Sequence, residues 1–223
     1  MEPKPEAMKA KRWSMVVDMR KLDEQTAKKC SEACHKVHNV PDFRNPVDPK
    51  LKVKDEDLVR WEIKWIWTEP YHNAFPGEAP EHMDEKIEHM KFLLLCNHCD
   101  NPPCVTNCPT GASYKSQDGT VQINRNRCVG CKACIAACPY DARYIYPGQG
   151  FADKCTLCVH RIAQGKEPAC VATCIGVSRV FGDLDDPKSK VSRLLREANS
   201  TVLLPEAGTG PRVFYIRKQG KPD

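Results

Sequence analysis

The sequence predicts an α+β fold in which short helices and small antiparallel sheets enclose groups of cysteine side chains. Three observations predict it. Twelve of the 14 cysteines fall into three groups of four, within residues 96–108, 128–138 and 155–174. The apolar runs between them are short, as strands and one-turn helices require, and none approaches the length of a membrane span. A unit of about thirty residues recurs: Cys108–Pro–Thr–Gly–Ala–Ser–Tyr114 is echoed by Cys138–Pro–Tyr–Asp–Ala–Arg–Tyr144.

Taken in order, residues 1–12 read as a polar tail with no apolar signal region and no Arg-Arg pair. The expectation is a soluble or peripheral chain whose export address, if any, lies on a partner or has been removed. Met15–Val16–Val17 predicts a short strand. Asp23 to His38 predicts a helix that ends before Pro41 and carries Cys30 and Cys34. Pro41 to Asp57 is a polar loop. Trp61–Glu62–Ile63–Lys64–Trp65–Ile66–Trp67 begins in strict alternation, which predicts a strand with one buried face and tryptophans packed in a core. Tyr71 to His89 reads as an irregular excursion with a short helix. Lys91–Leu95 predicts a strand leading into the first cysteine group, and Ala112–Lys115 pairs with Val121–Ile123 across Asp118–Gly119. Phe181 to Pro187 is a turn sequence, followed by a helix through Glu197. Val213–Tyr215–Ile216 supplies a last strand.

Lys and Arg (34) exceed Asp and Glu (29) for a net charge of +5. The excess is spread out and never interleaves with aromatics in a basic run, so nucleic acid is not an expected partner. A disulfide framework is the alternative use of so many cysteines, but such scaffolds are shorter and rarely set four thiols within a dozen residues.

The second group is the most specific signal. Cys128–x2–Cys131–x2–Cys134–x3–Cys138–Pro139 has the spacing of the bacterial ferredoxin run, in which three thiolates wrap one [4Fe–4S] cubane and the fourth ligates a different one. Gly130 lets the backbone pass close to such a site. A zinc ion needs four ligands and gives no reason for crossed ligation. The first group, Cys96–x2–Cys99–x4–Cys104–x3–Cys108–Pro109, is the same design with a longer loop stiffened by Pro102–Pro103. Crossing then predicts one cluster on Cys96, Cys99, Cys104 and Cys138, and a second on Cys128, Cys131, Cys134 and Cys108.

The third group, Cys155–x2–Cys158–x11–Cys170–x3–Cys174, keeps the ends of the run around an eleven-residue insertion. A cluster on Cys155, Cys158 and Cys170 needs one more thiolate. Cys34 is the natural donor, because Cys30–x3–Cys34 repeats the terminal spacing. No cysteine stands between Leu22 and Lys29, which leaves Cys30 and Cys174 as a candidate degenerate site for a fourth, atypical cluster. The expectation is three clusters. His35 and His38 are in principle ligands, although surface or supporting roles are commoner. His98 and His160 adjoin cluster cysteines and are candidates to tune potentials through hydrogen bonds.

These groups, their order, Phe181–Gly182–Asp183 through Asp186–Pro187, Leu203–Leu204–Pro205–Glu206 and Gly208–Thr209–Gly210–Pro211–Arg212–Val213 resemble one family. It comprises the iron–sulfur subunits of membrane oxidoreductases of the dimethyl sulfoxide reductase, polysulfide reductase and formate-linked nitrite reductase type. The likeness spans roughly residues 14–217. The gap at Leu22–Lys29 and the Trp-rich stretch are similar to subunits linked to sulfate or sulfite respiration and menaquinone.

The resemblance implies two nested bacterial-ferredoxin-like domains: an outer one from residues 1–90 with 148–223, and an inner two-cluster one from 91–147. It implies a relay of single electrons between a catalytic or haem-bearing (cytochrome) subunit and an integral-membrane, quinone-interacting subunit, within a hetero-oligomer. It also implies a peripheral place on the cytoplasmic membrane of a prokaryote, on the periplasmic side. Two other readings stand beside it. A stand-alone iron–sulfur oxidoreductase would need a substrate site, and no nucleotide-binding glycine loop or nucleophile–base pair is visible. A zinc-bound interaction module would be colourless.

Overall fold

The structure is a computed structural model that describes residues 6–43, 52, 54, 63, 65–75, 90–146, 149–174 and 178–217. Its spine is a four-stranded sheet in the order β8-β1-β10-β9, from β1 (Trp13–Asp18), β8 (Arg179–Asp183), β9 (Ser200–Thr201) and β10 (Val213–Ile216). Every residue of β1 is buried, so both faces of this strand are covered. Trp13, Met15 and Val17 face the main core, where Trp13 stacks on Phe181 at 4.6 Å between ring centroids. Val16 faces the other way, against Ile216 and Val191 of helix α7 (Lys190–Glu197).

Two expectations change here. The sheet is not wholly antiparallel, because β1 runs parallel to β10, with Met15 opposite Val213. Phe181–Gly182–Asp183 is not a turn but the end of β8, antiparallel to β1 with Gly182 opposite Ser14. Glycine suits this strand position because α7 crosses closely: a Cβ on Gly182 would stand 3.4 Å from Val191 Cγ2.

Helix α1 (Glu24–His38) starts where Asp23 accepts a hydrogen bond from the Thr26 amide at 2.6 Å, and it ends at Asn39 in the left-handed conformation. Ala27, Cys30 and Cys34 recur at helical spacing on its buried face. That face packs along α6 (Ala169–Thr173), which carries Cys170 and leads into Cys174.

The middle of the chain is built from hairpins and one-turn helices. Strand β2 (Ile66–Pro70), followed by helix α2 (Tyr71–Ala74), pairs with β3 (Lys91–Leu95). The strand expected over residues 61–67 therefore lies later, because its ladder is set opposite β3. Trp61, Glu62 and Lys64 lie outside the described residues, as do Pro76 to His89 of the expected excursion. Trp65 is buried and donates its indole N–H to the Tyr144 hydroxyl at 2.6 Å, the core role expected of it.

Helix α3 (Pro103–Thr106) precedes hairpin β4 (Ser113–Lys115) with β5 (Val121–Ile123), and α4 (Ala133–Ala136) precedes hairpin β6 (Tyr144–Ile145) with β7 (Ala152–Asp153). Helix α5 (Val159–Ile162) follows Cys158. The repeat seen in the sequence is thus a structural one. Ladder pairs cross both expected domain boundaries, since Pro70 faces Lys91 and Tyr144 faces Asp153.

Candidate iron–sulfur sites

Each cysteine group places its third thiol on a one-turn helix and its fourth at that helix's end. The Cys108 amide closes the α3 turn onto Val105 O, and the Cys138 amide closes the α4 turn onto Ile135 O, both at 3.1 Å. Because the fourth cysteine sits past the turn, it leaves the cavity lined by its own three predecessors. One cavity is lined by Cys96, Cys99, Cys104 and, from the next group, Cys138. A second is lined by Cys128, Cys131, Cys134 and, from the preceding group, Cys108.

The third set gathers Cys34 from α1 with Cys155, Cys158 and Cys170, all buried, and the other three thiols lie close enough to Cys34 to push its pKa further up once burial has raised it. Cys96 also lies near enough to Cys155 to add to the effect of burial there. The set containing Cys96 therefore adjoins the third set. The sets differ in exposure: Cys131 is exposed and Cys108, Cys128 half-buried, whereas all four thiols of the third set are buried.

Burial pushes the Cys99 thiol up to about 12 and the Cys104 and Cys158 thiols up to about 11. Such thiols do not ionise by themselves near neutrality, which argues against a cysteine nucleophile. A bound metal deprotonates a coordinating thiol outright, so these groups suit metal ligation. Cys108 is the contrast. Burial opposes its ionisation, but N–H donors led by Ser113, whose amide is 3.3 Å from Sγ, hold its pKa below the ordinary thiol value.

Backbone amides reach other sulfurs too: Ala152 N–H to Cys128 Sγ at 3.3 Å, Leu157 N–H to Cys155 Sγ at 3.4 Å and Ala169 N–H to Cys158 Sγ at 3.5 Å. Donors of this kind set cluster potentials.

The cavities also fit the group in what they leave unsatisfied. His98, Asn97 and Arg143 line the first cavity, and among the described residues Asn97 Nδ2 and Oδ1 and Arg143 Nε and Nη2 are buried with no N or O hydrogen-bond partner, the Arg143 guanidinium having the Cys134 sulfur beside it. Buried donors without acceptors are rare, and the sulfides of a cluster are acceptors of the right kind. Among the described residues no three His, Cys, Asp or Glu side chains converge as ligands of a single metal ion. The thiols instead surround cavities, as a cubane needs and a zinc ion does not.

Other expected residues take specific places. Cys30 and Cys174 are joined in a buried disulfide, Cα to Cα 6.6 Å, linking α1 to the end of α6. The candidate degenerate site is a covalent bond here, with neither sulfur left as a thiolate. His98 is buried and accepts the Val121 N–H at Nδ1, 3.0 Å away. His38 brings Nε2 to 3.0 Å from Cys158 Sγ, while His160 touches the His38 ring edge-on at 5.1 Å and His35 turns to the Ile66 backbone. Gly130, with φ +66°, lines the second cavity, and a Cβ there would collide with the Gly150 carbonyl.

Sequence reasoning missed the charged residues around the sites. Arg143 and Arg179 are 3% and 2% exposed, and Lys154, at 1%, donates to Val121 O and Cys155 O. Asp100, next to Cys99, pairs with Arg12, Lys115 and the buried Arg212. Together with the bonds from Asp100 N–H to Gly210 O and from Asn101 N–H to Thr209 O, both 2.8 Å, these clamp the C-terminal segment over the first cavity. The signal for the arginines was the position five residues after the last cysteine of a group.

Residues 87–184 match the 4Fe-4S dicluster domain family. A tetrathionate reductase subunit of Salmonella typhimurium is 52% identical over 134 residues, 59% of this chain, so the likeness spans 54% of that protein's length. The thiosulfate reductase electron transfer subunit PhsB of Salmonella typhi is 42% identical over 143 residues, 63% of this chain and 73% of that one. The Hdr-like menaquinol oxidoreductase iron-sulfur subunit 1 of Archaeoglobus fulgidus is 34% identical over 259 residues, 99% of this chain and 89% of its own. With interlocked thiol cavities and a relative of this kind matched along 99% of its length, the chain belongs to the family of [4Fe–4S] electron-transfer subunits of respiratory reductase complexes.

Proposed function

We propose that this chain relays single electrons by way of three [4Fe–4S] clusters. The ligands are Cys96, Cys99, Cys104 and Cys138 for the first, Cys128, Cys131, Cys134 and Cys108 for the second, and Cys155, Cys158, Cys170 and Cys34 for the third. The observation that carries this reading is the exchange of fourth thiols between the two cavities, each completed by a cysteine from the other group, with Cys34 of α1 standing beside Cys155, Cys158 and Cys170 in the third set. Such clusters supply one-electron chemistry over potentials of roughly −700 to +450 mV, set by charge, hydrogen bonds and exposure.

The protein's part is to hold the clusters in file, with the first set central, and to set each potential through N–H donors and buried cations. The exposed second set is the end at which one redox partner approaches; Val129 beside it is 68% exposed. The partners fitting this reading are an integral-membrane subunit that exchanges electrons with quinone and a catalytic or cytochrome subunit. Among the described residues no helix is long and apolar enough to cross a membrane, which supports peripheral attachment. The periplasmic face of the cytoplasmic membrane is the side we infer. The outer and inner halves of the chain each act as one ferredoxin-like unit, joined by hairpins across their boundaries.

Iron and acid-labile sulfide in anaerobically purified complex test this: about twelve of each per chain are expected from three cubanes, and fewer than about eight would overturn it. The menaquinol-linked relative, matched along 99% of this chain, favours a quinone-coupled complex over a stand-alone enzyme.

A further inference from the structure

Two arginines occupy the same place in the repeat. Arg143 stands five residues after Cys138, and Arg179 five residues after Cys174; the matching position after Cys108 is Ser113. Both guanidinium groups are buried, and among the described residues two nitrogens of each have no N or O hydrogen-bond partner: Nε and Nη2 of Arg143, which has the Cys134 sulfur beside it, and Nε and Nη1 of Arg179. The remaining contacts are neutral. Arg143 Nη1 donates to Ser113 Oγ at 2.6 Å, and Arg179 Nη2 to Met15 Sδ at 2.7 Å. No ion pair among the described residues includes either arginine.

A buried cation without a counter-charge is strongly unfavourable, so an anion belongs beside each. What lies beside them is cysteine sulfur. Arg143 lines the first cavity together with Cys96 and Cys104, and its partner Ser113 lines the second together with Cys134. Those three thiols belong to both inner sets, so the guanidinium sits between the two cavities. Arg179 lies near enough to Cys34 and Cys158, both of the third set, for its charge to act on each. Its other neighbour by symmetry would be a further cluster, but there Cys30 and Cys174 form a disulfide.

Resting on the three-cluster reading above, we propose that Arg143 and Arg179 are potential-setting residues, Arg143 shared by the two inner clusters and Arg179 serving the third alone. Each one-electron reduction adds a negative charge to a cluster. A fixed cation in a low-dielectric interior stabilises the reduced form and raises the potential. Arg143 in addition lessens the penalty that reduction of one inner cluster imposes on the other. The pair of residues thus makes a distinct prediction for each half of the protein.

The test is an EPR-monitored redox titration of the purified complex carrying Arg143→Gln, Arg143→Lys, Arg179→Gln or Arg179→Lys, with iron counted in each. Arg143→Gln is expected to lower the potentials of the two inner clusters, each by about tenfold in reduction equilibrium or ~59 mV for one electron, and to leave the third in place. Arg179→Gln is expected to do the reverse. The lysine variants, which keep the charge, are expected to stay near the parent values. If a glutamine variant assembles poorly, its lysine counterpart decides: parental iron and potentials support the proposal, and potentials lowered despite the retained charge overturn it. Full iron with unmoved potentials in the glutamine variants overturns it alone. A parent chain with fewer than about eight iron atoms overturns the cluster reading and this proposal with it.

Discussion

His38 places Nε2 3.0 Å from the Sγ of Cys158 while its ring lies against Trp65, with centroids 4.2 Å apart. Trp65 is held in turn by its bond to Tyr144. The histidine is thus fixed by packing, with one nitrogen committed to a sulfur of the third set. With Cys158 ionised, Nε2–H donates to it and draws charge from the site.

Replacing His38 by Leu removes this donor. The third cluster is then expected to fall in potential by up to ~59 mV, a tenfold shift in a one-electron equilibrium, with the other two unchanged. Redox titration followed by EPR measures it. His38→Gln, which retains an N–H, is expected to fall less; equal losses in both variants would refute the hydrogen-bond account.

The Cys30–Cys174 disulfide closes a sequence separation of 144 residues. Changing both to Ser is expected to lower stability by about 2–5 kcal/mol, the usual effect of losing a native disulfide. Iron content is expected to stay at the parental level, because neither sulfur holds metal. Anaerobic thermal unfolding and iron analysis check the two halves of this statement, and loss of about four iron atoms in the double variant would contradict it.

Cys131 is the exposed thiol of the second set. Brief exposure to air or chelator is expected to bleach that cluster first, since susceptibility follows access. Cys131→Ser is expected to remove one cluster, about four iron atoms, and to halt electron transfer through the complex. Full turnover in that variant would show that the second set lies off the route.

Asp100 is the counter-charge for Arg212, whose guanidinium is 1% exposed and donates from Nε at 2.9 Å. Arg212 keeps bonds to Trp13 O and Gly119 O when Asp100 is lost, and Asp100 is itself 30% exposed. Asp100→Ala is therefore expected to cost about 2 kcal/mol rather than the larger penalty of a fully buried broken pair. Denaturant unfolding under argon measures it. The first cavity, clamped by the same segment, is expected to lose its iron soonest in this variant.

Sequence alone determined which thiols can act together, because a one-turn helix or tight loop has a fixed reach. In the first two groups three cysteines spaced by two to four residues line one cavity, and the fourth, placed after the turn, lines the other. The same short-range logic gave the helix from Asp23 to His38, and gave the β4–β5 hairpin its Asp118–Gly119 turn. It misread Phe181–Gly182–Asp183, since a glycine that admits a crossing helix looks like a turn until that helix is in place.

Only the tertiary structure decided what depends on residues far apart in the chain. It set β1 parallel to β10, bonded Cys30 to Cys174, brought His38 to Cys158 and buried Arg143 and Arg179 beside the thiol sets. The physical reason is that burial and charge compensation are properties of an enclosed volume. An arginine five residues past a cysteine is an ordinary surface residue until the fold takes its water away and leaves sulfur as its neighbour.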